Sequence, residues 1–306
     1  MNTISPIQEL SQIIENCNIF IKREDLIPFS FGGNKFRIAR ELFLDMERKG
    51  CTCIIGYGNA RSNLSRVIAN MASAKGLPCY IVNPILTDDP FERTNNSKIV
   101  ALCNAKIITC SNNNVAETVE AVLDECKLEG HNPYYINGDK YGKGNEKTQL
   151  KAYFQVYQEI QNQSKDLGLS FDYMFLPTGT GMTQGGLVAG KASAKGNEKI
   201  VGISISRNSQ KERDIIKGMI AKFGVSLNEE TEIIVDDNYL CGGYGQYNDD
   251  IVNTIRMMQV QYGIPLDPTY TGKAFWGMMS YIKTHNIKGN VLFIHTGGTP
   301  LYFDFI

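Results

Sequence analysis

The sequence predicts an α/β chain built on two parallel sheets. Strand-like apolar runs alternate with helix-like runs along most of the 306 residues. Those apolar runs are continuous rather than alternating, the pattern of strands covered on both faces. The loops that follow several of them are rich in Gly, Ser, Thr and Asn. In open sheets of this kind, ligands bind at the C-terminal ends of the strands. No repeat of fixed period is present.

Taken in order, Ile19–Glu24 is apolar at its start and charged at its end, which predicts a half-buried strand. Phe31-Gly32-Gly33-Asn34-Lys35 leads from it into a helix over Phe36–Met46, where Ile38, Leu42 and Met46 recur on one face. Cys51–Tyr57 is a strand and Leu64–Lys75 the helix after it; Pro78–Val82 and Ala105–Cys110 are further strands. The helix Val115–Leu128, the strand Asn132–Asn137 and a long helix over Thr148–Gln161 follow. Four more strands are expected at Tyr173–Leu176, Ile200–Ser206, Glu232–Val235 and Val291–His295. Helices Thr183–Ala194, Gln210–Phe223 and Asp250–Tyr262 fall between them. A small domain over residues 38–147 is expected, with a large domain made of 1–37 and 148–306; Gly142-Lys143-Gly144 marks the boundary.

Composition narrows the function. Hydrophobic residues make up 42% of the chain, ample for a core, and the formal net charge is −1. With no basic stripe, neither nucleic acid nor an anionic membrane is an expected partner. No apolar run reaches the length of a membrane span, and the polar stretch Met1–Glu15 does not read as a signal peptide. Cysteines at 17, 51, 53, 79, 103, 110, 126 and 241 follow no zinc-finger spacing. Free, mostly buried thiols in a reducing cytoplasm are expected. His131, His285 and His295 are far apart in sequence, so neither a histidine metal centre nor a catalytic triad is expected.

The chemistry gathers at four strand ends. Lys35 stands at a helix N-terminus, where the macrodipole disfavours a second positive charge and eases loss of a proton. A neutral amine beside a glycine turn is what a Schiff-base lysine needs. Taken alone, the same stretch also fits a surface lysine after a turn. Gly179-Thr180-Gly181-Met182-Thr183 opens a helix, and its successive N–H groups can hold a phosphate. Gly58-Asn59-Ala60-Arg61-Ser62-Asn63 also opens a helix and can hold a carboxylate, or serve as a plain N-cap. His295-Thr296-Gly297-Gly298-Thr299 closes the last strand. Gly185-x4-Gly190-Lys191 approaches a Walker pattern but is followed by Ala192 and lies inside a helix. Gly185, Gly186 and Gly190 instead predict close helix–sheet packing.

Five segments carry a resemblance: IKREDLIPFSFGGNKFR, GNARSNLSR, PTGTGMTQGGLVAGK, LDPTYTGKAFWGM and HTGG, spread from residue 21 to residue 298. With them the chain resembles the fold type II, tryptophan-synthase-β-like enzymes that use pyridoxal 5′-phosphate (PLP). Its nearest branch is the 1-aminocyclopropane-1-carboxylate (ACC) deaminase and D-cysteine desulfhydrase family. The resemblance implies that the large domain binds PLP and that Lys35 carries it as a Schiff base. It implies that Asn63 meets the 3′-oxygen and that Gly179, Thr180, Gly181 and Thr183 hold the phosphate. Asn59, Arg61, Ser62, Asn63, Tyr244 and Tyr270 would face a small amino-acid substrate, with Lys35, Tyr270 and Ser62 catalytic. Core tyrosines with satisfied hydroxyls are the other reading of Tyr244 and Tyr270. ACC deaminases carry a glutamate where this chain has Thr271 or Thr296. Thr296 is favoured as the partner of the pyridine nitrogen, and Thr271 is the alternative. Relatives read GxQSN where this chain has GNARSNL, so Arg61 and Leu64 depart from the pattern.

The function implied is a PLP-dependent lyase or deaminase. It would carry out β-elimination to a 2-oxo acid and ammonia, in a cytoplasmic homodimer. ACC deamination, β-replacement, racemisation and a non-catalytic phosphate-ligand protein are the alternatives.

Overall fold

The computed structural model describes residues 4–10, 13–85, 93–227 and 231–306. Residues 1–3, 11 and 12 of the polar N-terminal stretch lie outside the described residues. In chain order the strands are β1 (Ile7–Leu10), β2 (Cys17–Arg23), β3 (Cys53–Tyr57), β4 (Cys79–Ile85), β5 (Lys106–Ser111), β6 (Pro133–Tyr135), β7 (Tyr173–Thr178), β8 (Lys199–Ser204), β9 (Ile234–Asp236) and β10 (Gly289–His295). The helices are α1 (Asn34–Arg48), α2 (Asn63–Ala74), α3 (Asn95–Leu102), α4 (Val115–Leu128), α5 (Glu146–Asp166), α6 (Met182–Ala194), α7 (Ser209–Phe223), α8 (Asp249–Tyr262), α9 (Thr271–Thr284) and α10 (Thr299–Phe305). None of the described helices is long and apolar enough to cross a membrane.

The chain divides into two units, Met1–Asn34 with Leu150–Ile306, and Lys35–Gln149. The first holds a sheet of order β1-β2-β10-β7-β8-β9, parallel except for β1. The second holds β5-β4-β3-β6, parallel throughout. The antiparallel edge was not predicted. A connection as short as residues 11–16 allows only antiparallel pairing, and Leu10 lies opposite Ile19.

In the first unit Phe175, Val201, Ile203 and Phe293 of the sheet pack with Ile255 and Met258 of α8 and Ala274, Phe275 and Met278 of α9. Strand–helix alternation does not predict α9, because no strand runs directly into it. Its Gly272 and Gly277 also read as helix breakers. Both are there for close approach: a Cβ at Gly277 would lie 2.8 Å from Ile203 Cγ2, and one at Gly272 2.8 Å from the Asp267 carbonyl oxygen. The glycines of α6 correct another expectation. A Cβ at Gly186 would meet Leu150 O and Tyr153 Cβ at 2.6 Å, and one at Gly190 would meet Tyr157 Cβ at 2.5 Å. They seat α6 against helix α5, not against the sheet.

The expected half-buried strand is also corrected. β2 is paired on both sides, and its charged end is buried with the rest. The charges are tolerated because each has partners. Lys22 Nζ donates to Ser5 O at 2.6 Å, Gln163 Oε1 at 2.6 Å and Glu159 Oε1 at 2.5 Å. Glu24, just beyond the strand, accepts from Ser5 Oγ at 2.6 Å and Tyr153 Oη at 2.9 Å. All eight cysteines are free thiols. Only Cys53, Cys79 and Cys126 are buried, so the expectation of mostly buried thiols fails for the five that are half-exposed.

Removing one member of a buried pair leaves the other charge uncompensated. Glu159→Ala should lower the urea-unfolding free energy by about 3 kcal/mol. Glu159→Gln, which keeps an acceptor for Lys22, should lose less. Equal stability of wild type and Glu159→Ala would show that Ser5 and Gln163 suffice.

Candidate active site

In the first unit, candidate residues gather at the end of β10. There the Phe31–Asn34 turn and the His295–Gly298 segment press together. Gly33 adopts φ +94°, and a Cβ on it would lie 2.8 Å from the Thr296 carbonyl oxygen. Gly297 faces it, its own Cβ position 2.6 Å from Gly33 Cα. Asn34 N–H donates to Thr296 O at 2.9 Å, and Gly33 N–H to Glu24 O at 2.7 Å. The glycines before Lys35 thus make room for protein backbone. Asn34 then reaches the loop after β7, its Nδ2 donating to Thr183 Oγ1 at 2.9 Å.

That loop, Gly179–Thr183, is an open row of donors. Gly181 takes φ +77° as the N-cap of α6. The backbone N–H groups of Thr180, Gly181, Met182 and Thr183 have no protein acceptor among the described residues. Thr183 Oγ1 accepts from Asn34, so its own proton is available to an anion. The donor set suits a phosphate dianion at a helix start. Beneath it Arg207 Nη1 donates to Gly179 O and pairs with the buried Glu212 at 3.0 Å. Thr178 Oγ1 donates to the same carboxylate at 3.4 Å.

The turn before α9 is organised by Asp267, which is wholly buried. Its carboxylate accepts from Thr269 N–H at 3.0 Å, Tyr270 N–H at 2.8 Å, Thr271 N–H at 3.1 Å and Thr271 Oγ1 at 2.8 Å. Burial pushes its pKa up, with these bonds opposing. Thr271 Oγ1 also accepts from Asp267 N–H at 2.9 Å, so its hydroxyl is used in both directions. Thr296 makes no side-chain hydrogen bond among the described residues, which leaves its hydroxyl open. His295 is buried and serves structure. Its Nδ1 accepts from Gly297 N–H at 3.1 Å, so Nε2 carries the proton and donates to Pro265 O at 2.8 Å. Tyr270 Oη lies 2.9 Å from Tyr244 Oη, with the rings edge to face at 5.9 Å.

In the second unit Lys35 occupies the first turn of α1, half-buried. Burial pushes its ammonium from the ordinary 10.5 down to about 8. The sequence attributed a lowered value to the helix dipole; here burial lowers it. Asn59, Arg61, Ser62 and Asn63 lie together where α2 begins. Ser62 is the N-cap, its Oγ accepting from Ser65 N–H at 3.1 Å, while its proton stays available. Gly58 has φ +152°, and a Cβ there would press into Ser62 Oγ. Asn59 Oδ1 accepts from Arg61 N–H at 3.1 Å. Asn63 Oδ1 accepts from Asn96 Nδ2 at 3.0 Å and Arg66 Nη2 at 3.4 Å. Asn96, wholly buried, also donates to Arg61 O at 2.9 Å and so fixes the loop from behind.

Tyr244 and Tyr270 lie outside the strand-end loops named from the sequence, in the turns that precede α8 and α9. Asn34, Asn96, Asp267 and the Arg207–Glu212 pair were not singled out. Asn34 stood inside the quoted GGNK motif, and Asp267 inside LDPTY, where an Asx turn before a helix is a readable signal. Asn96 gave no such signal.

Comparison with known proteins identifies the family. Residues 2–297 match the family described as "Pyridoxal-phosphate dependent enzyme". Over 98% of its length the chain is 31% identical to the "Putative 1-aminocyclopropane-1-carboxylate deaminase" of Pyrococcus abyssi, covering 91% of that protein. It is 29% identical to the D-cysteine desulfhydrase of Yersinia pestis, over 98% of this chain and 93% of that one. The solved structure of an ACC deaminase homologue superposes with a TM-score of 0.83 at 28% identity, covering 97% of this chain and 91% of the other. The fold type II architecture that the resemblance implied is therefore present. The chain belongs to the pyridoxal-phosphate dependent enzyme family, and its cofactor is pyridoxal 5′-phosphate.

Proposed function

We propose that the enzyme eliminates a β-substituent from a small amino acid, as a D-cysteine desulfhydrase does. D-Cysteine and water would give pyruvate, hydrogen sulfide and ammonia. The observation that carries the choice is that, among the described residues, no carboxylate bonds the Thr296 hydroxyl and the one that bonds Thr271 is already engaged. Asp267 spends both oxygens on four local donors, and Thr271 is tied to it. The open hydroxyl is that of Thr296, and a hydroxyl does not hold the pyridine nitrogen protonated as a carboxylate would. The weaker electron sink suits loss of a good leaving group better than opening of a cyclopropane.

The residues fit the cofactor. The open N–H row of Thr180–Thr183 and the Thr183 hydroxyl would hold the phosphate, Asn63 the 3′-oxygen and Thr296 the ring nitrogen. Lys35 would carry the cofactor. Bound PLP supplies the sink that accepts the electron pair of the substrate α-carbon. Lys35 Nζ, neutral in a large fraction near its lowered pKa, takes the α-proton. Asn59, Ser62 and Asn63 orient the substrate carboxylate at the start of α2. Arg61, in the same loop, offers a planar fork to a second anionic group. Tyr270, backed by Tyr244, delivers a proton to the leaving group from Oη. The large unit would be the PLP-binding domain, in a homodimer. The free thiols fit a reducing cytoplasm.

Three measurements test this reading. D-Cysteine or β-chloro-alanine should yield pyruvate and ACC no 2-oxobutyrate; robust ACC opening would sink the Thr296 argument. Thr183→Val should weaken PLP retention by about 1–3 kcal/mol, as for a lost bond to a charged acceptor. Cofactor that dialyses from this variant no faster than from wild type would show that Thr183 holds no phosphate.

The third is the pH dependence of PLP uptake by apoprotein. The reactive neutral amine of Lys35 grows as pH rises through its pKa, so uptake should climb and level off above about pH 8. A rate still climbing steeply near about pH 10 would mean an ordinary lysine.

A further inference from the structure

A buried lysine in α9 has no place in the scheme above. Lys273 is wholly buried, and no carboxylate lies within ion-pair distance of it among the described residues. Its Nζ donates to two backbone carbonyls, Leu240 O at 2.7 Å and Gly243 O at 2.8 Å. Those carbonyls belong to the segment Leu240-Cys241-Gly242-Gly243-Tyr244-Gly245. Four of its residues have positive φ: Cys241 at +50°, Gly242 at +92°, Gly243 at +126° and Gly245 at +75°. A chain so rich in glycine loses much conformational entropy when fixed. Packing reaches it through Cys241, which lies against the core, but not through its glycines: a Cβ at Gly243 would meet nothing within 4 Å and one at Gly242 only Gln246, at 3.7 Å. Among the bonds that hold the turn are Gly243 N–H to Leu240 O at 3.0 Å, Gln246 N–H to Gly243 O at 3.3 Å and the two from Lys273.

The residue carried by this turn is Tyr244. Its hydroxyl meets that of Tyr270, which stands three positions before Lys273 at the start of the same helix. Both ends of the tyrosine pair are therefore referred to α9. Asp267 fixes the Tyr270 backbone through its N–H, and Lys273 fixes the carbonyl next to Tyr244. An ammonium is suited to this because it has three donors and no acceptor, and so can hold two carbonyls at once.

We propose that Lys273 is a positioning residue that pins the glycine turn and so holds Tyr244 against Tyr270 for proton delivery. This rests on the reading of the tyrosine pair as substrate-facing. The PLP-loaded enzyme tests it by hydrogen exchange and by a double-mutant cycle. In Lys273→Met, amides of the 240–246 peptide should exchange about 10-fold or more faster, while the core strands keep their protection. The same variant should lower kcat/KM for D-cysteine by about 10- to 100-fold, mostly in kcat. Tyr244→Phe should give a loss of its own, and the double variant should lose little more than the larger single loss.

Unchanged exchange at the turn would overturn the tether. Faster exchange with undiminished kcat/KM would overturn its link to the reaction. Losses that multiply in the double variant would mean that Lys273 acts other than through Tyr244. Full activity of Tyr244→Phe would sink the tyrosine reading itself, and shows without touching Lys273. If Lys273→Met gives no soluble enzyme, Lys273→Gln is measured in the same way; its shorter neutral amide should still loosen the turn.

Discussion

The large unit depends on backbone meeting backbone at the end of β10. Gly33 and Gly297 lie so close that neither could carry a side chain, and Thr296 O receives the Asn34 N–H in the gap between. A Cβ on the next glycine, Gly298, would press into the carboxylate of Asp267. Three sequence segments are thus brought to one point: the turn before Lys35, the end of the last strand, and the turn that carries Tyr270. Backbone is the stiffest material a protein has, and contacts made through it leave no rotamer to slip. A site assembled this way is set by main-chain geometry, with side chains added to a frame already fixed.

Three buried charges in this unit are held largely by backbone and neutral polar groups. Asp267 is surrounded by N–H groups and a hydroxyl, Lys273 by carbonyls, and Lys22 by a carbonyl, an amide and a carboxylate. Only Lys22 of the three has an opposite charge as a direct partner. Backbone dipoles serve where counter-ions would otherwise be needed, and they tie the charge to a particular turn. The same groups would tolerate replacement poorly, since an unpaired buried charge is far costlier than a missing apolar contact.

Much of the architecture was legible because it is local. The periodicity of Ile38, Leu42 and Met46 placed α1, and all three are buried. The Gly- and Thr-rich strand ends marked the loops because each motif is contiguous. What escaped is non-local. The Asn34–Thr183 bond joins residues 149 positions apart, and no window of sequence contains both. Helix α9 escaped because its glycines read as breakers until the partners that need them are known. The choice between Thr296 and Thr271 was open in sequence because both are threonines in short motifs. It narrows only when Asp267 is seen to occupy Thr271 on both sides.

The pairing of β2 with β10 has a consequence for synthesis. Cys17–Arg23 leaves the ribosome long before its parallel neighbour Gly289–His295. Between them the stretch Lys35–Gln149 is contiguous and carries its own four-stranded sheet, so its strands can pair while translation continues. The early strand must meanwhile wait with its apolar residues Ile19, Phe20 and Ile21 unsheltered on one edge. Long-range closure of this kind is slow, and a waiting strand is a template for unwanted pairing. The charged end of β2 then has a second use: Lys22 and Arg23, once buried, are satisfied, but while exposed they keep the nascent edge soluble.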